Sequence, residues 1–466
     1  MSKRFDISPG WLLTMATAMF IFLPNLFREG MFIDGTLYAI LARNLAEGQG
    51  SFWAPYFSAT YEPVFFAHPP LAFWLESAFF SLLGTSFWVE NIFGLFIWGI
   101  CVWLIAQIWR LLLAAYKPYA WLPVLVWLIV PRVFWSFGNN MLENPLSMWT
   151  LAAFWMVLKA QFQFSWRYWG GICAGLFTLA ALHTKGPVGL FPLVMPLLLA
   201  VGIGRDWKRS LVTTFLLWLS FGLGLGLMLL KEEIWLFWDR YLGKQVIRSL
   251  NGQLATDTGP WYLLRRLGEE LLPSIGLGTL VGLFSYRFWR KTEIEWGAVK
   301  IFFAVAISAS FPLFVSPKLR DFYLVPSFPY FALAFCALIV AAWHRCSNLW
   351  DRLRRPMQLM ALGLMLGAIV VSVSRWGTPK RDQKVLAQVH QIGAIVPQRE
   401  TIHICNSLEK AFALRWYLNR FYYQSQDHRM RDEYQYFLVQ APCPEFEASA
   451  FEQVWEDEGL SLWKRR

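Results

Sequence analysis

Charge is scarce in this chain: 16% of its 466 residues are charged and 56% are hydrophobic, whereas a soluble domain carries about a quarter charged residues. That shortage excludes a protein living wholly in water. Motifs of several large classes are also missing. There is no GxxxxGK[ST] phosphate loop, so the chain alone does not read as an ATP-driven transporter, and no HExxH marks a zinc hydrolase. The six cysteines include no CxxC pair, which excludes a zinc ribbon or a thioredoxin-like centre. "GLGLG" (222–226) and "GLGTLVG" (276–282) imitate nucleotide loops. Both lie inside apolar runs with no strand before them, where close helix packing through small residues explains them better.

What the chain does have is a series of apolar runs able to cross a hydrocarbon core of about 30 Å. They fall at 11–27, 87–109, 119–137, 145–158, 169–183, 188–204, 211–230, 271–288, 299–315, 322–343 and 357–374. The expected fold is therefore a polytopic α-helical membrane protein of about eleven spans. Twenty-seven tryptophans suit anchoring at the two interfaces. The net charge of +11 could suggest nucleic acid, but the basic residues sit in short loops between spans. Topology control and membrane lipids account for them there, and no nucleic-acid partner is expected. The first run follows a basic N-terminus and leads into "FREGMF" without a small-residue cleavage site, so it is expected to stay as a span.

The loops sort by charge. One set holds Lys3, Arg4, Arg110, Lys117, Lys159, Arg167, "RDWKR", "RFWRK" and "HRCSNLWDRLRR"; the other holds "GNNMLEN" and "HTKGP". Positive-inside bias puts the first set in the cytoplasm, provided that 69–84, which is apolar but short and carries Glu76, is a re-entrant or surface helix. Three larger segments then face outward: a first loop with surface helices (28–84), a second long loop (231–270) and a tail (375–466). The spans and loops up to 374 are expected to form one membrane domain. The tail, where strand-like "TIHIC" and "YQYFLVQ" alternate with a helical pattern, reads as a small α/β domain of roughly 90 residues. Outside the cytoplasm, Cys405 and Cys443 could form a disulfide. Cys101, Cys173 and Cys336 fall in spans as packing residues.

Ionisable groups at membrane depth cost roughly 2.5–3.5 kcal/mol each at a span centre, so those present call for a partner or a task. Asp34 heads an amphipathic pattern, Leu37, Ile40, Leu41 and Leu45, and is a helix cap, a reactive carboxylate, or both. His68 precedes two prolines and could be a base, a metal ligand, a phosphate contact or none of these. Glu143 lies in a short turn between spans, either capping the helix that starts near Pro145 or offering a second carboxylate. His183 and Lys185 in one outer turn, and Lys318, Arg320 and Tyr323 in another, run against the positive-inside trend. A phosphate accounts for them, as does snorkelling to head groups. Most of Lys244, Arg248, Arg265 and Arg266 read as surface residues. Together the features describe a pocket at the outer membrane face for a lipid phosphate.

The stretches "IDGTLYAILARNLAEGQGSFWAP", "HPPLAFWLESAFFSLLG", "MLENPLSMW", "HTKGPVGL" and "PKLRDFYLVPSFP" occur in the order found in a known family. The chain resembles the bacterial C-type glycosyltransferases related to protein O-mannosyltransferases and to the lipid A aminoarabinose transferase. The resemblance implies an inner-membrane enzyme that moves a sugar from a polyprenyl-phosphate donor to a lipid, glycan or protein acceptor on the outer face. It implies Asp34 as the catalytic base, Glu143 as a second catalytic carboxylate, and Lys185, Lys318 and Arg320, with Tyr323 and His68, around the departing phosphate. The family's Glu before the basic residue of the first loop is Ala67 here, and a His that serves some members as a metal ligand is Gln245. If a divalent ion is used, Asp34, Glu143 and His68 are the ligands available. Rival readings are a transporter or flippase for lipid-linked sugars, expected to show repeated halves that are absent from this sequence, and a scaffold whose tail does the binding.

Overall fold

The computed structural model describes residues 8–466 apart from 205, 254–258, 290–292, 316, 346, 430, 432 and 445. Lys3, Arg4 and parts of the "RDWKR", "RFWRK" and "HRCSNLWDRLRR" stretches lie outside the described residues. The helices are α1 (Pro9–Leu26), α2 (Ile33–Ala46), α3 (Leu71–Leu83), α4 (Val89–Leu112), α5 (Trp121–Leu128) and α6 (Pro131–Phe137). They continue with α7 (Glu143–Phe162), α8 (Trp169–Lys185), α9 (Met195–Ile203), α10 (Trp207–Leu229), α11 (Glu232–Tyr241) and α12 (Arg248–Leu250). The last six are α13 (Pro260–Trp289), α14 (Trp296–Val315), α15 (Phe328–Arg345), α16 (Ser347–Ser374), α17 (Gln383–Ile395) and α18 (Phe412–Tyr422).

Among the described residues six helices are long and apolar enough to cross a membrane, or seven if a pair bent by 99° counts as one span. Proline explains much of the difference from eleven. The run 119–137 is two short helices, because Pro131 holds Val130 extended at ψ 121° and a new helix starts there. The run 188–204 opens with 3-10 turns, Gly186–Gly189 and Phe191–Val194, that carry Pro187 and Pro192, and only then becomes α9. Helix α3, with 13 residues, reaches about 20 Å, which is short of a bilayer core and agrees with a helix that does not span.

The chain divides into two compact units. The first is Met1–Leu26, Ala67–Ala72 and Gly94–Arg375, and the elements among its described residues are helices. In it α8 packs between α7 and α10. Glycines allow this approach: a Cβ at Gly170 would come within 2.6 Å of the Met156 carbonyl oxygen, and one at Gly171 within 3.0 Å of that of Thr213. The glycine-rich decoys contribute less than expected. Gly224 faces Leu179 closely, but Gly222, Gly226, Gly276 and Gly278 meet no atom within 4 Å.

The second unit is Phe27–Phe66, Phe73–Phe93 and Trp376–Arg466. Its five-stranded sheet has the order β2-β1-β3-β5-β4, from β1 (Thr401–Ile404), β2 (Ser425–Asp427), β3 (Tyr436–Gln440), β4 (Phe451–Asp457) and β5 (Leu460–Arg465). β1 runs parallel to β2 and β3, and β5 pairs antiparallel with β3 and β4. Leu386, Ile392, Ile402, Leu418, Leu438 and Leu462 fill its core. Helix α2 packs on α18 through buried Arg43, which donates to the carbonyls of Asn419 (2.8 Å) and Arg420 (2.7 Å). Arg420 in turn pairs with Glu90 at 2.7 Å, both buried. Cys405 and Cys443 are joined in a disulfide.

Candidate active site

The helical unit contains an open cavity of about 260 Å³ lined by His68, Glu143, Lys185, Tyr241, Gln245, Lys318 and Tyr323, with Leu146, Val188, Val246 and Leu313 among its apolar walls. Glu143 does not lie in a turn, as its sequence context suggests, but is the first residue of α7. A carboxylate is favoured there by the helix dipole, as a cation is in the last turn of α8, where Lys185 sits. The Lys185 ammonium donates to Glu143 Oε1, and both side chains are buried. The same ammonium lies 4.7 Å from the ring centre of Tyr323 and 5.7 Å from that of Phe322. Carboxylate on one side and aromatic faces on the other replace its water shell.

Helix α8 must stop immediately after Lys185 for this to work. Gly186 takes φ +78° and ψ −150°, a conformation open only to glycine, and the Tyr241 hydroxyl sits where a Cβ would be. Tyr241 also approaches the Lys185 carbonyl, at 3.5 Å. It lies at the end of α11 and is followed by a π-helical turn, Leu242–Ile247, which carries Gln245 to the cavity.

His68 is fixed by the two prolines after it. Desolvation, then the Lys185 and Lys318 charges, hold its pKa well below the ordinary value of about 6.5, so it is neutral at pH 7. The lysines bring two positive charges to the cavity and Glu143 one negative, leaving a single positive excess beside apolar walls. Such a site suits an amphipathic anion.

Not every residue expected from the sequence joins this cavity. Arg320 is exposed and does not line it, although Lys318 and Tyr323 on the same segment do. His183 is not an outward cation: it lies buried within α8, with Nδ1 2.8 Å from the Leu179 carbonyl oxygen and its ring edge-on to Trp238. Asp34 belongs to the second unit. It is the second residue of α2 and half-buried, an acid in the first turn of a helix whose N-cap position is Phe32. Among the described residues no group of three or more His, Cys, Asp or Glu could hold a metal ion. The sequence reading missed Tyr241, whose only signal was the amphipathic spacing of α11. Nor does sequence show that the partly exposed Arg266 guanidinium pairs with Asp321 at 2.9 Å.

Residues 67–238 match the family model described as dolichyl-phosphate-mannose-protein mannosyltransferase. No curated protein matches significantly. Among solved structures, ArnT from Cupriavidus metallidurans bound to undecaprenyl phosphate superposes with a TM-score of 0.69 at 15% identity over 98% of each chain. Its apo state gives 0.62 at 15% identity over 97% of each. The oligosaccharyltransferase AglB from Archaeoglobus fulgidus, in complex with an inhibitory peptide and a dolichol-phosphate, gives 0.54 at 12% identity, over 89% of this chain and 64% of that one. The chain thus resembles the C-type glycosyltransferases in family model and in fold, as its motifs implied.

Proposed function

We propose that this chain is an inverting glycosyltransferase of the bacterial cytoplasmic membrane, moving a sugar from a polyprenyl-phosphate donor to a lipid, glycan or protein acceptor on the outer face. One observation carries the reading: a cavity that puts Lys185, Lys318 and Tyr323 beside an apolar wall, which is the chemistry a phosphate with a long hydrocarbon tail requires. The matched relatives support it, since the ArnT structure holds undecaprenyl phosphate and the AglB structure a dolichol-phosphate. The Cys405–Cys443 disulfide supports an outward location for the tail.

In the reaction an acceptor hydroxyl loses its proton and attacks the anomeric carbon. The bond from that carbon to the phosphate oxygen breaks, and the phosphate leaves with the electron pair and one more negative charge. Lys318 and Lys185 stabilise that charge as it develops, and neutral His68 can donate a hydrogen bond to it. Glu143 holds Lys185 in place. Arg320 meets the phosphate only if its side chain turns inward. Asp34 takes the acceptor proton as general base, a role carried over on its motif alone.

The test uses protein reconstituted in lipid and a panel of radiolabelled polyprenyl-phosphate sugars, comparing wild type with Asp34→Asn. Turnover of one donor, lost in the variant while donor binding persists, is the expected result and identifies the sugar. Equal turnover in both proteins removes Asp34 from the mechanism. Passage of donor across the bilayer without bond cleavage makes the protein a transporter instead.

A further inference from the structure

A second charged cluster lies behind the cavity. Asp321 opens the 3-10 turn Asp321–Ser327. Its carboxylate accepts from the Arg132 guanidinium, and from Arg266 at 3.2 Å (Nε) and 2.9 Å (Nη2). Those arginines come from different elements: Arg132 from the first turn of α6, Arg266 from α13. Glu270 ties the two together, accepting from the Arg132 backbone N–H at 2.6 Å and lying 3.5 Å from each guanidinium. Arg265 and Glu269 complete the set. Arg132, Arg265 and Arg266 thus balance Glu269, Glu270 and Asp321. Arg132 has two carboxylate partners and Arg266 three, an arrangement suited to holding elements together.

The turn that Asp321 opens is the one that serves the cavity. Two residues on, Tyr323 lines it and faces the Lys185 ammonium; three residues before, Lys318 lines it too. Between them Phe322 stacks on Trp135 of α6 (centroids 5.9 Å apart, 28° between planes), and the Arg132 guanidinium lies over the Trp135 ring at 4.8 Å. The segment is therefore held from behind by two arginines and one stacked ring, while its front face presents a tyrosine and a lysine.

We propose that Asp321, clamped between Arg132 and Arg266, is a positioning residue for the anionic head of the substrate: it sets the turn that brings Lys318 and Tyr323 to the phosphate. The inference rests on the lipid-phosphate reading of the cavity. Removing the carboxylate charge releases the turn: Arg132 and Arg266 keep Glu270, and Arg266 keeps Glu269, but neither is then held to the segment that carries Lys318 and Tyr323.

The probe is undecaprenyl phosphate, titrated onto purified full-length protein in lipid nanodiscs and read by native mass spectrometry, with thermal unfolding measured in parallel. Asp321→Asn is expected to weaken binding by about tenfold, equivalent to about 1.4 kcal/mol, and Asp321→Glu to restore most of it. In turnover assays Asp321→Asn raises the donor KM more than it lowers kcat. A lowered melting temperature with unchanged affinity makes Asp321 merely structural and overturns the proposal. Tighter binding overturns it as well, because the freed arginines would then be phosphate ligands. If Asp321→Asn does not fold, Arg266→Gln serves: weaker binding supports the clamp, and wild-type affinity sinks it. Wild-type protein that folds but binds polyprenyl phosphate no better than Lys185→Ala defeats the parent reading rather than the clamp alone.

Discussion

Lys185, at the end of α8, donates to Glu143, at the start of α7, in an ion pair shielded from water on both sides. Breaking a buried pair by removing one member leaves an uncompensated charge and costs about 3–5 kcal/mol. Glu143→Gln is therefore expected to lower the melting temperature sharply. The double variant Glu143→Gln/Lys185→Met, with no buried charge left, recovers most of that loss. Activity separates from stability here: Lys185→Met and the double variant both lose about a hundredfold or more in turnover, the scale on which removal of one group stabilising transition-state charge is felt. Unfolding midpoints and donor turnover on the four proteins check both halves. Recovery of activity in the double variant would remove the lysine from the phosphate.

Gly186 is constrained twice, by φ +78° and by the Tyr241 hydroxyl against its α-carbon. Gly186→Ala is expected to destabilise by about 1–3 kcal/mol from backbone strain alone and more from the collision, and to displace Lys185. Adding Tyr241→Ala removes the collision but not the strain. The double variant should thus recover part of the stability, and full recovery would mean that the backbone strain is slight.

Much of this site could be read from the chain, for reasons that differ from residue to residue. Glu143, Lys185, Lys318, His68 and Tyr323 stood out because ionisable and polar groups at membrane depth are costly and therefore few. Their mutual arrangement was not legible: Glu143 and Lys185 are 42 positions apart, and Arg132 and Asp321 are 189. No local pattern encodes such a pairing. Apolar runs located the helices of the first unit, yet a run says nothing of a break, so Pro131 divided what read as one span. In the tail, alternation revealed β1 and β3, because strands carry their period in the sequence. The adjoining of α2 to α18 rests on Arg43 meeting backbone carbonyls, which leaves no signature at all.

The Cys405–Cys443 disulfide closes a loop with a sequence separation of 38. In the chain-entropy model a loop of that size contributes about 3–4 kcal/mol by restricting the unfolded state. Cys443→Ser, or a reductant, is expected to lower the stability of the second unit by that order. The helical unit, which contains neither cysteine, is unaffected. Hydrogen exchange read by peptide separates the two. Loosening confined to peptides of β1, β3 and α18 is the expected pattern, and uniform loosening along the chain would show that the units unfold together.

Two histidines give the chain pH dependences of opposite sign. His390 lies 2.7 Å from Glu29 and 2.9 Å from the Tyr422 hydroxyl, and its hydrogen bond to Glu29 raises its pKa above about 6.5. Folded protein then holds that proton more tightly than unfolded protein. The stabilisation is fully present below the unfolded value and is lost as pH rises through the raised one. His68 is the reverse: burial and two lysines depress its pKa, so the unfolded chain takes up the proton first, and stability falls as pH drops below about 6.5. His390→Gln is expected to flatten the loss on the alkaline side in exchange measured on α17, and His68→Gln the loss on the acid side around residues 67–72. If His390→Gln instead steepens the alkaline loss, the proton is not held where Glu29 places it.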